Sequence, residues 1–170
     1  EERRASAQRA AAARWTADLP RATHDGSFPI GDKVIQCAVL GATRQRLLTQ
    51  ESFLRSMGRA GKAKGGTGSS ALVDGLPPFL AAENLKPFIS EDLLRSTTPI
   101  LFRTVSGGRG FGYDAELLPR ACEVYLKARD ARVLRAGQER IAKACDLLMR
   151  GLAHVGIIAL VDEATGYQAD

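Results

Sequence analysis

The sequence has few of the residues that usually form a catalytic or metal site. It holds three cysteines and two histidines in 170 residues. Cys37, Cys122 and Cys145 are scattered among apolar neighbours, which argues against a disulfide framework and favours a reducing, cytoplasmic compartment. His24 and His154 have no cysteine or carboxylate at the spacing of metal ligands. We therefore predict neither a metal site nor a cofactor.

The chain also lacks an apolar run of the length that a membrane requires. Its first four residues, EERR, open a charged, alanine-rich stretch without the apolar middle of a secretory signal. The most apolar segment, residues 147–161, contains Arg150 and His154 and is shorter than the about 20 residues of a spanning helix. We predict no membrane segment and interpret residues 147–161 as a buried core helix.

Positive charge is concentrated in the first part of the chain. Residues 1–70 hold 12 Lys or Arg against 6 Asp or Glu, whereas residues 71–170 hold 12 against 13. This segregation indicates either an anionic partner for the front part or a basic surface that is only solvated. The density of positive charge is highest in residues 44–64, which contain six basic residues and one acidic residue, Glu51. The basic residues are Arg44, Arg46, Arg55, Arg59, Lys62 and Lys64.

The six basic residues form the predicted nucleic-acid-binding edge. Arg55 and Arg59 are four positions apart, so we expect them to share one face of a helix. Lys62 and Lys64 lie in a stretch rich in glycine, serine and lysine, residues 59–70, which we expect to be mobile. Such an edge would follow phosphates with salt-dependent affinity and without reading sequence. Solvated arginines explain the same pattern.

The apolar pattern predicts an α+β fold, with short β-hairpins packed on two C-terminal helices. Residues 1–27 are predicted as a loosely attached helical arm and a linker. Glycine and proline breaks over residues 19–31 indicate a linker that leads into the domain. Residues 28–170 are predicted as the α+β domain. The predicted hairpin strands are residues 34–40 with 44–48, and residues 100–105 with 110–113.

Helix signals mark four further segments. Thr49 and Ser90 are placed to cap two short helices, the first of which ends near Gly58. The third helix follows Asp114, and its predicted core stripe is Leu117, Ala121, Val124, Tyr125 and Ala128. The fourth covers residues 138–163, with the stripe Ile141, Ala144, Cys145, Leu148, Leu152 and Val155. Gly151 and Gly156 in this helix indicate close backbone packing, and one possible neighbour is a second copy of the helix.

Two glycine-containing segments resemble known functional motifs, but neither matches its motif completely. Residues 58–68 resemble a phosphate-binding loop, but Ala63 follows Lys62 where serine or threonine is required. The run Arg109-Gly-Phe-Gly-Tyr113 matches the start of an RNA-stacking strand, yet Asp114 then breaks the motif. We interpret this run as a glycine hairpin whose aromatic side chains pack locally.

Three longer stretches resemble a largely uncharacterised bacterial and prophage family. They are KAKGGTG with DGLPPFLAAENLKPFIS, then STTPILFRTVSGGRGFGYDAELLP, and finally CEVYLKARD with QERIAKACDLLMRGLAHVGIIALVDEATGYQ. The C-terminal α+β domain of that family is associated with phage antirepressor-type regulators that carry Bro or KilA amino-terminal DNA-binding domains. The resemblance covers residues 28–168 and implies no catalytic residues. Family members usually continue past the GYQ stretch, which leaves open whether the domain is truncated at its carboxyl end.

The resemblance and the basic edge together predict a phage-related, DNA-associated regulatory protein without catalytic activity. One alternative is an oligomerisation or partner-binding module that makes no nucleic-acid contact, with a homodimer formed through the helix at 138–163. A second alternative is a nuclease-like enzyme, which would need a spaced set of carboxylate, histidine and lysine residues. No such set is evident in the sequence.

Overall fold

The structure, a computed structural model, describes residues 18–59 and 75–167 and confirms the α+β class. The predicted arm over residues 1–17 and most of the predicted mobile stretch lie outside the described residues. The strands are β1 (Ala22–Ile30), β2 (Lys33–Leu40), β3 (Arg46–Thr49), β4 (Ile100–Arg103) and β5 (Arg109–Asp114). The α-helices are α1 (Gln50–Ser56), α2 (Glu91–Ser96), α3 (Leu117–Asp130) and α4 (Glu139–Thr165), and 3-10 turns occupy Glu83–Phe88 and Ala136–Gln138.

All five described strands form one sheet in the order β1-β2-β3-β5-β4, with antiparallel neighbours throughout. Both predicted hairpins are present, with Cys37 opposite Leu48 in the first and Phe102 opposite Gly110 in the second. The sheet curls until its two edges meet at one end, where the amide of Arg103 donates to the carbonyl oxygen of Pro20 at 2.8 Å. A parallel bridge between Arg21 and Arg103 marks this closure.

Strand β1 corrects the prediction of a linker over residues 19–31. Nine of those residues form an edge strand, in which Pro29 lies opposite Val34 and Ile30 is buried. Gly26 and Pro29 are typical of loops, but an edge strand pairs with a neighbouring strand on one side only. A proline, which has no amide hydrogen, is therefore tolerated there. A strand therefore forms where the sequence indicated a linker.

The main core lies between one face of the sheet and the helices. Phe53, Phe79 and Tyr113 form an aromatic cluster in it, with ring centroids 4.9 Å apart for Phe53 and Tyr113. The predicted stripe of α3 is buried at every position, which confirms it. Thr49 and Ser90 cap α1 and α2 as predicted, since each side chain accepts a hydrogen bond from an amide in the first turn.

A smaller apolar cluster covers the opposite face of the sheet. It is centred on Phe102, whose ring lies over Gly110 and Gly112 of the neighbouring strand. A Cβ atom on Gly110 would lie 2.8 Å from Cζ of Phe102, and one on Gly112 would lie 2.9 Å from the carbonyl oxygen of Leu48. The two glycines of the Arg-Gly-Phe-Gly-Tyr run therefore have a packing role.

Helix α4 corrects the prediction that residues 147–161 are a buried core helix. Its first half packs on α3 through Ile141, Cys145 and Leu148, which are buried as predicted. Ala144 and Leu152 are half-buried, and Val155 is exposed. The spacing of apolar residues predicts which face of a helix is apolar. It does not predict how much of the length of that face the rest of the domain covers.

The two glycines of α4 differ in their surroundings. A Cβ on Gly151 would lie 2.5 Å from Cγ2 of Ile30, so this glycine allows the end of β1 to approach the helix closely, as predicted. Among the described residues, no atom lies within 4 Å of the Cβ position of Gly156, so the predicted close packing is not found there. Packing of Gly156 against a second copy stays a prediction.

Candidate interaction surfaces

The predicted basic edge is only partly assembled. Arg44 and Arg46 are exposed at the start of β3, and Arg44 has a positive φ of 56°. Neither side chain makes an ion pair with another described residue. Lys62 and Lys64 lie outside the described residues, and their proposed role stays a prediction.

The expectation that Arg55 and Arg59 share a helix face is wrong because α1 ends at Ser56. Arg55 pairs with Glu51 at 2.8 Å, one helical turn away. Arg59 instead lies half-buried beside Tyr125, where its charge opposes the effect of burial on the tyrosine pKa. The two arginines therefore have different surroundings and do not form one phosphate-facing row.

A second group of arginines, which the sequence analysis did not identify, lies where the sheet closes. Arg103 is directly opposite Arg109 on the neighbouring strand, and Arg21, the residue before β1, forms an isolated parallel bridge to Arg103. None of the three makes an ion pair within residues 18–59 and 75–167. The buried Nε of Arg103 has no hydrogen-bond partner among the described residues. Like charges opposite each other are destabilising, so this corner favours an anion. Only strand pairing brings these positions together.

Exposed apolar side chains are concentrated on α4. Six of the eleven exposed large hydrophobic side chains among the described residues lie on this helix, and they are between 52% and 62% exposed. They are Leu147, Val155, Ile157, Ile158, Leu160 and Val161. Monomeric soluble proteins rarely expose a contiguous patch of this kind unless it binds something.

By length and composition alone, Ala136–Thr165 is the one described helix that could cross a membrane, with a mean hydropathy of 1.7 in its most apolar window. Its charges do not suit a span. Between Arg150 and Asp162 the helix has eleven residues without Asp, Glu, Lys or Arg. Those eleven residues give about 16 Å of helix against a hydrocarbon core of about 30 Å.

A groove of about 630 Å³ runs beside the middle of α4. Ala144, Leu147 and Leu148 form its apolar wall, and Ile30 and Lys33 lie on the side of the β1–β2 turn. Arg140 and Lys143 also line it, and neither makes an ion pair with another described residue. The groove thus combines an apolar wall with positive charge that has no ion-pair partner among the described residues.

A cavity of about 400 Å³ opens on the sheet face that carries Phe102. Asp25, Gln36, Cys37 and Thr49 are among its lining residues. Burial and, to a smaller extent, the carboxylate of Asp25 raise the pKa of the Cys37 thiol, which therefore stays protonated. This environment does not activate Cys37 as a nucleophile.

The two remaining cysteines, Cys122 and Cys145, are buried between α3 and α4 as free thiols. A hydrogen bond with Cys145, together with burial, raises the pKa of Cys122. Among residues 18–59 and 75–167, no three His, Cys, Asp or Glu side chains lie together in a group that could hold a metal ion.

No protein-family model, curated protein or solved structure matches this chain. The resemblance to a family of phage regulators therefore stays a prediction. The assignment of function depends on the surfaces themselves.

Proposed function

We propose that this domain is a non-catalytic assembly module that binds a second copy of itself through the exposed second half of α4. The observation that carries the proposal is the row of large aliphatic side chains that α4 leaves in water beyond its contacts with α3. The helix is 27 residues long, or about 40 Å, and its last fully buried residue is Leu148. An apolar helix of this kind gains stability mainly by burying its surface against another element.

Sedimentation equilibrium over a wide concentration range tests the proposal. We expect the unmodified protein to dimerise and the variant Ile157→Ser/Ile158→Ser/Leu160→Ser to be a folded monomer, because these side chains are exposed in the domain. The matched control is Val34→Ser/Val105→Ser/Val133→Ser, which removes three exposed valines elsewhere and should still dimerise.

Two results would overturn this proposal. The first is an unmodified protein that stays monomeric at every concentration. The second is a protein that is monomeric in solution and pellets with vesicles of phosphatidylcholine and phosphatidylserine, provided that the triple α4 variant no longer pellets. That outcome would assign the apolar helix to a membrane surface.

A second candidate function is association with nucleic acid, as the sequence analysis predicted. The unpaired arginines at the closure of the sheet, Arg21, Arg103 and Arg109, favour it, together with the exposed Arg44 and Arg46. Binding through phosphates should weaken steeply as salt rises and should vary little with DNA sequence. Labelled duplex DNA can be titrated with the variants Arg21→Glu/Arg109→Glu and Arg44→Glu/Arg46→Glu. The comparison would show which of the two groups of arginines contributes to DNA binding. Equal weak binding by both variants and the unmodified protein would count against this function.

A further inference from the structure

The arginines at the closure of the sheet form a row across it. Arg103 is in the middle, with Arg109 opposite it on β5 and Arg21 bridged to it from the residue before β1. Neighbouring strands lie about 4.8 Å apart, so the three backbone positions span about 10 Å. The row therefore concentrates positive charge over a distance that a short stretch of an anionic chain can cover.

The three side chains of this row leave the sheet on the same face. Residues paired across neighbouring strands share a face, and successive residues along a strand alternate between faces. Ala22 and Phe102, which are chain neighbours of the first two arginines, both belong to the smaller apolar cluster on the opposite face. Gly110, the chain neighbour of the third, lies under the ring of Phe102 on that same face. The arginine row therefore points away from the smaller cluster.

The charge of the row is not neutralised within the part of the chain that the structure describes. No described carboxylate makes an ion pair with any of the three arginines. Like charges on directly opposed strand positions are destabilising, so a bound anion removes an unfavourable interaction as well as making new ones. A phosphate suits the row because it accepts two parallel hydrogen bonds from one guanidinium.

An apolar pair lies beside the row on the same face. Leu101 is directly opposite Phe111, two positions along each strand from Arg103 and Arg109. Both are half-buried, and neither is among the side chains that pack on the two apolar clusters. Tyr113, two residues further along β5, is instead fully buried in the main core. Phe111 therefore brings a partly accessible aromatic ring next to the arginines.

A row of guanidinium groups beside an aromatic ring is suited to single-stranded nucleic acid. The arginines pair with phosphates, and the ring stacks on a base whose face is free. The bases of a duplex are stacked on one another, so Phe111 cannot contribute in this way to duplex binding. The aromatic ring is thus the feature that distinguishes the two forms of nucleic acid.

We propose that this face of β4 and β5 binds single-stranded nucleic acid, with phosphates on the arginine row and a base stacked on Phe111. The proposal rests on the second candidate function and deepens it, because it specifies the form of nucleic acid and the residue that contacts a base. The glycines on either side of Phe111 keep their packing role on the opposite face.

Fluorescence anisotropy with one labelled oligonucleotide of mixed sequence tests the proposal. The oligonucleotide is titrated once as a single strand and once annealed to its complement. We expect the unmodified protein to bind the single strand about tenfold more tightly than the duplex, because a stacked base contributes only to the first complex.

Substitutions of Phe111 test the contribution of the ring. Phe111→Leu keeps the position apolar but removes the stacking surface, so the single-strand Kd should rise about tenfold and the duplex Kd should not change. Phe111→Tyr keeps a ring and should bind as the unmodified protein does. Tyr167→Leu, which changes an aromatic residue that is 63% exposed at the end of α4, is the matched control and should leave both affinities unchanged. Circular dichroism checks that each variant is folded.

Salt dependence tests the arginine row. Each phosphate contact on a single strand contributes about 0.7 to the slope of log affinity against log salt concentration. Arg109→Gln should therefore lower that slope by the amount of one contact. Arg140→Gln removes an exposed arginine from α4 and should leave the slope unchanged.

The outcomes separate this proposal from the function on which it rests. Equal affinity for single strand and duplex, or a Phe111→Leu protein that binds the single strand as tightly as the unmodified protein, overturns the stacked single-strand site. Either result leaves phosphate binding by the arginines intact. A protein that binds neither form overturns both the proposal and the second candidate function. Dimerisation through α4 is measured without nucleic acid and is independent of these results.

Discussion

Ile30 lies at the position that a side chain on Gly151 would occupy, with its Cγ2 atom 2.5 Å from where a Cβ would lie. The end of β1 and the middle of α4 approach each other at this point. Alanine normally stabilises a helix by about 1 kcal/mol relative to glycine. At Gly151, however, the added methyl group must displace a β-branched side chain in the core.

We therefore predict that Gly151→Ala lowers the free energy of unfolding by about 1–2 kcal/mol, because the cost of overpacking exceeds the gain in helix propensity. Gly156→Ala on the same helix is the matched control. Its Cβ would meet nothing within 4 Å, so we expect a gain of about 0.5–1 kcal/mol. Urea denaturation monitored by circular dichroism measures both, and a stabilised Gly151→Ala protein would contradict the close packing of β1 on α4.

The two buried tyrosines should respond in opposite ways to loss of the hydroxyl group. The hydroxyl of Tyr113 is buried without a hydrogen-bond partner in the described part of the chain, whereas that of Tyr125 donates to the carbonyl oxygen of Phe79. Tyr113→Phe should be neutral or stabilising, because it removes an unsatisfied polar group. Tyr125→Phe should cost about 1–3 kcal/mol, since it leaves the buried carbonyl of Phe79 without this donor. Equal losses in urea denaturation would argue against the environment described for Tyr113.

Both tyrosines should also make the fold sensitive to alkali. Burial raises the pKa of Tyr113 and of Tyr125 to about 12, while an unfolded tyrosine titrates near pH 10. A pKa that is higher in the folded state gives a contribution that is complete below about pH 10 and is lost as the pH rises through about 12. Stability measured at a series of pH values should fall over this range, and Tyr113→Phe should reduce the fall. An unchanged pH profile in that variant would show that Tyr113 does not contribute.

The sequence was most informative where structure is decided locally. The caps at Thr49 and Ser90 and the hairpin turn between residues 105 and 110 depend on neighbouring residues, so these predictions were confirmed. The edge strand β1 was missed because its Gly26 and Pro29 are typical of loops, and only pairing with β2 identifies it as a strand.

The candidate surfaces were harder to predict because they depend on distant parts of the chain. Arg55 and Arg59 have helical spacing, but the helix ends between them. Arg103 and Arg109 are separated by a turn and become neighbours only when the hairpin forms. The apolar character of α4 was predicted, but its exposure was not, because periodicity does not report where the rest of the domain ends.

The glycines of the Arg-Gly-Phe-Gly-Tyr run give the last prediction, which separates a packing role from a role in stacking RNA. A Cβ on Gly112 would lie 2.9 Å from the backbone oxygen of Leu48, an atom that cannot move without disturbing the pairing of β3 and β5. Gly112→Ala should therefore lower the free energy of unfolding by about 1–3 kcal/mol. Gly26→Ala on strand β1 is the control, because its Cβ meets nothing within 4 Å and alanine restricts the unfolded chain more than glycine does. We expect that variant to be neutral or slightly stabilised in urea denaturation. A Gly112→Ala protein as stable as the Gly26→Ala control would show that packing does not require this glycine, and the resemblance of the run to an RNA-stacking strand would then need another explanation.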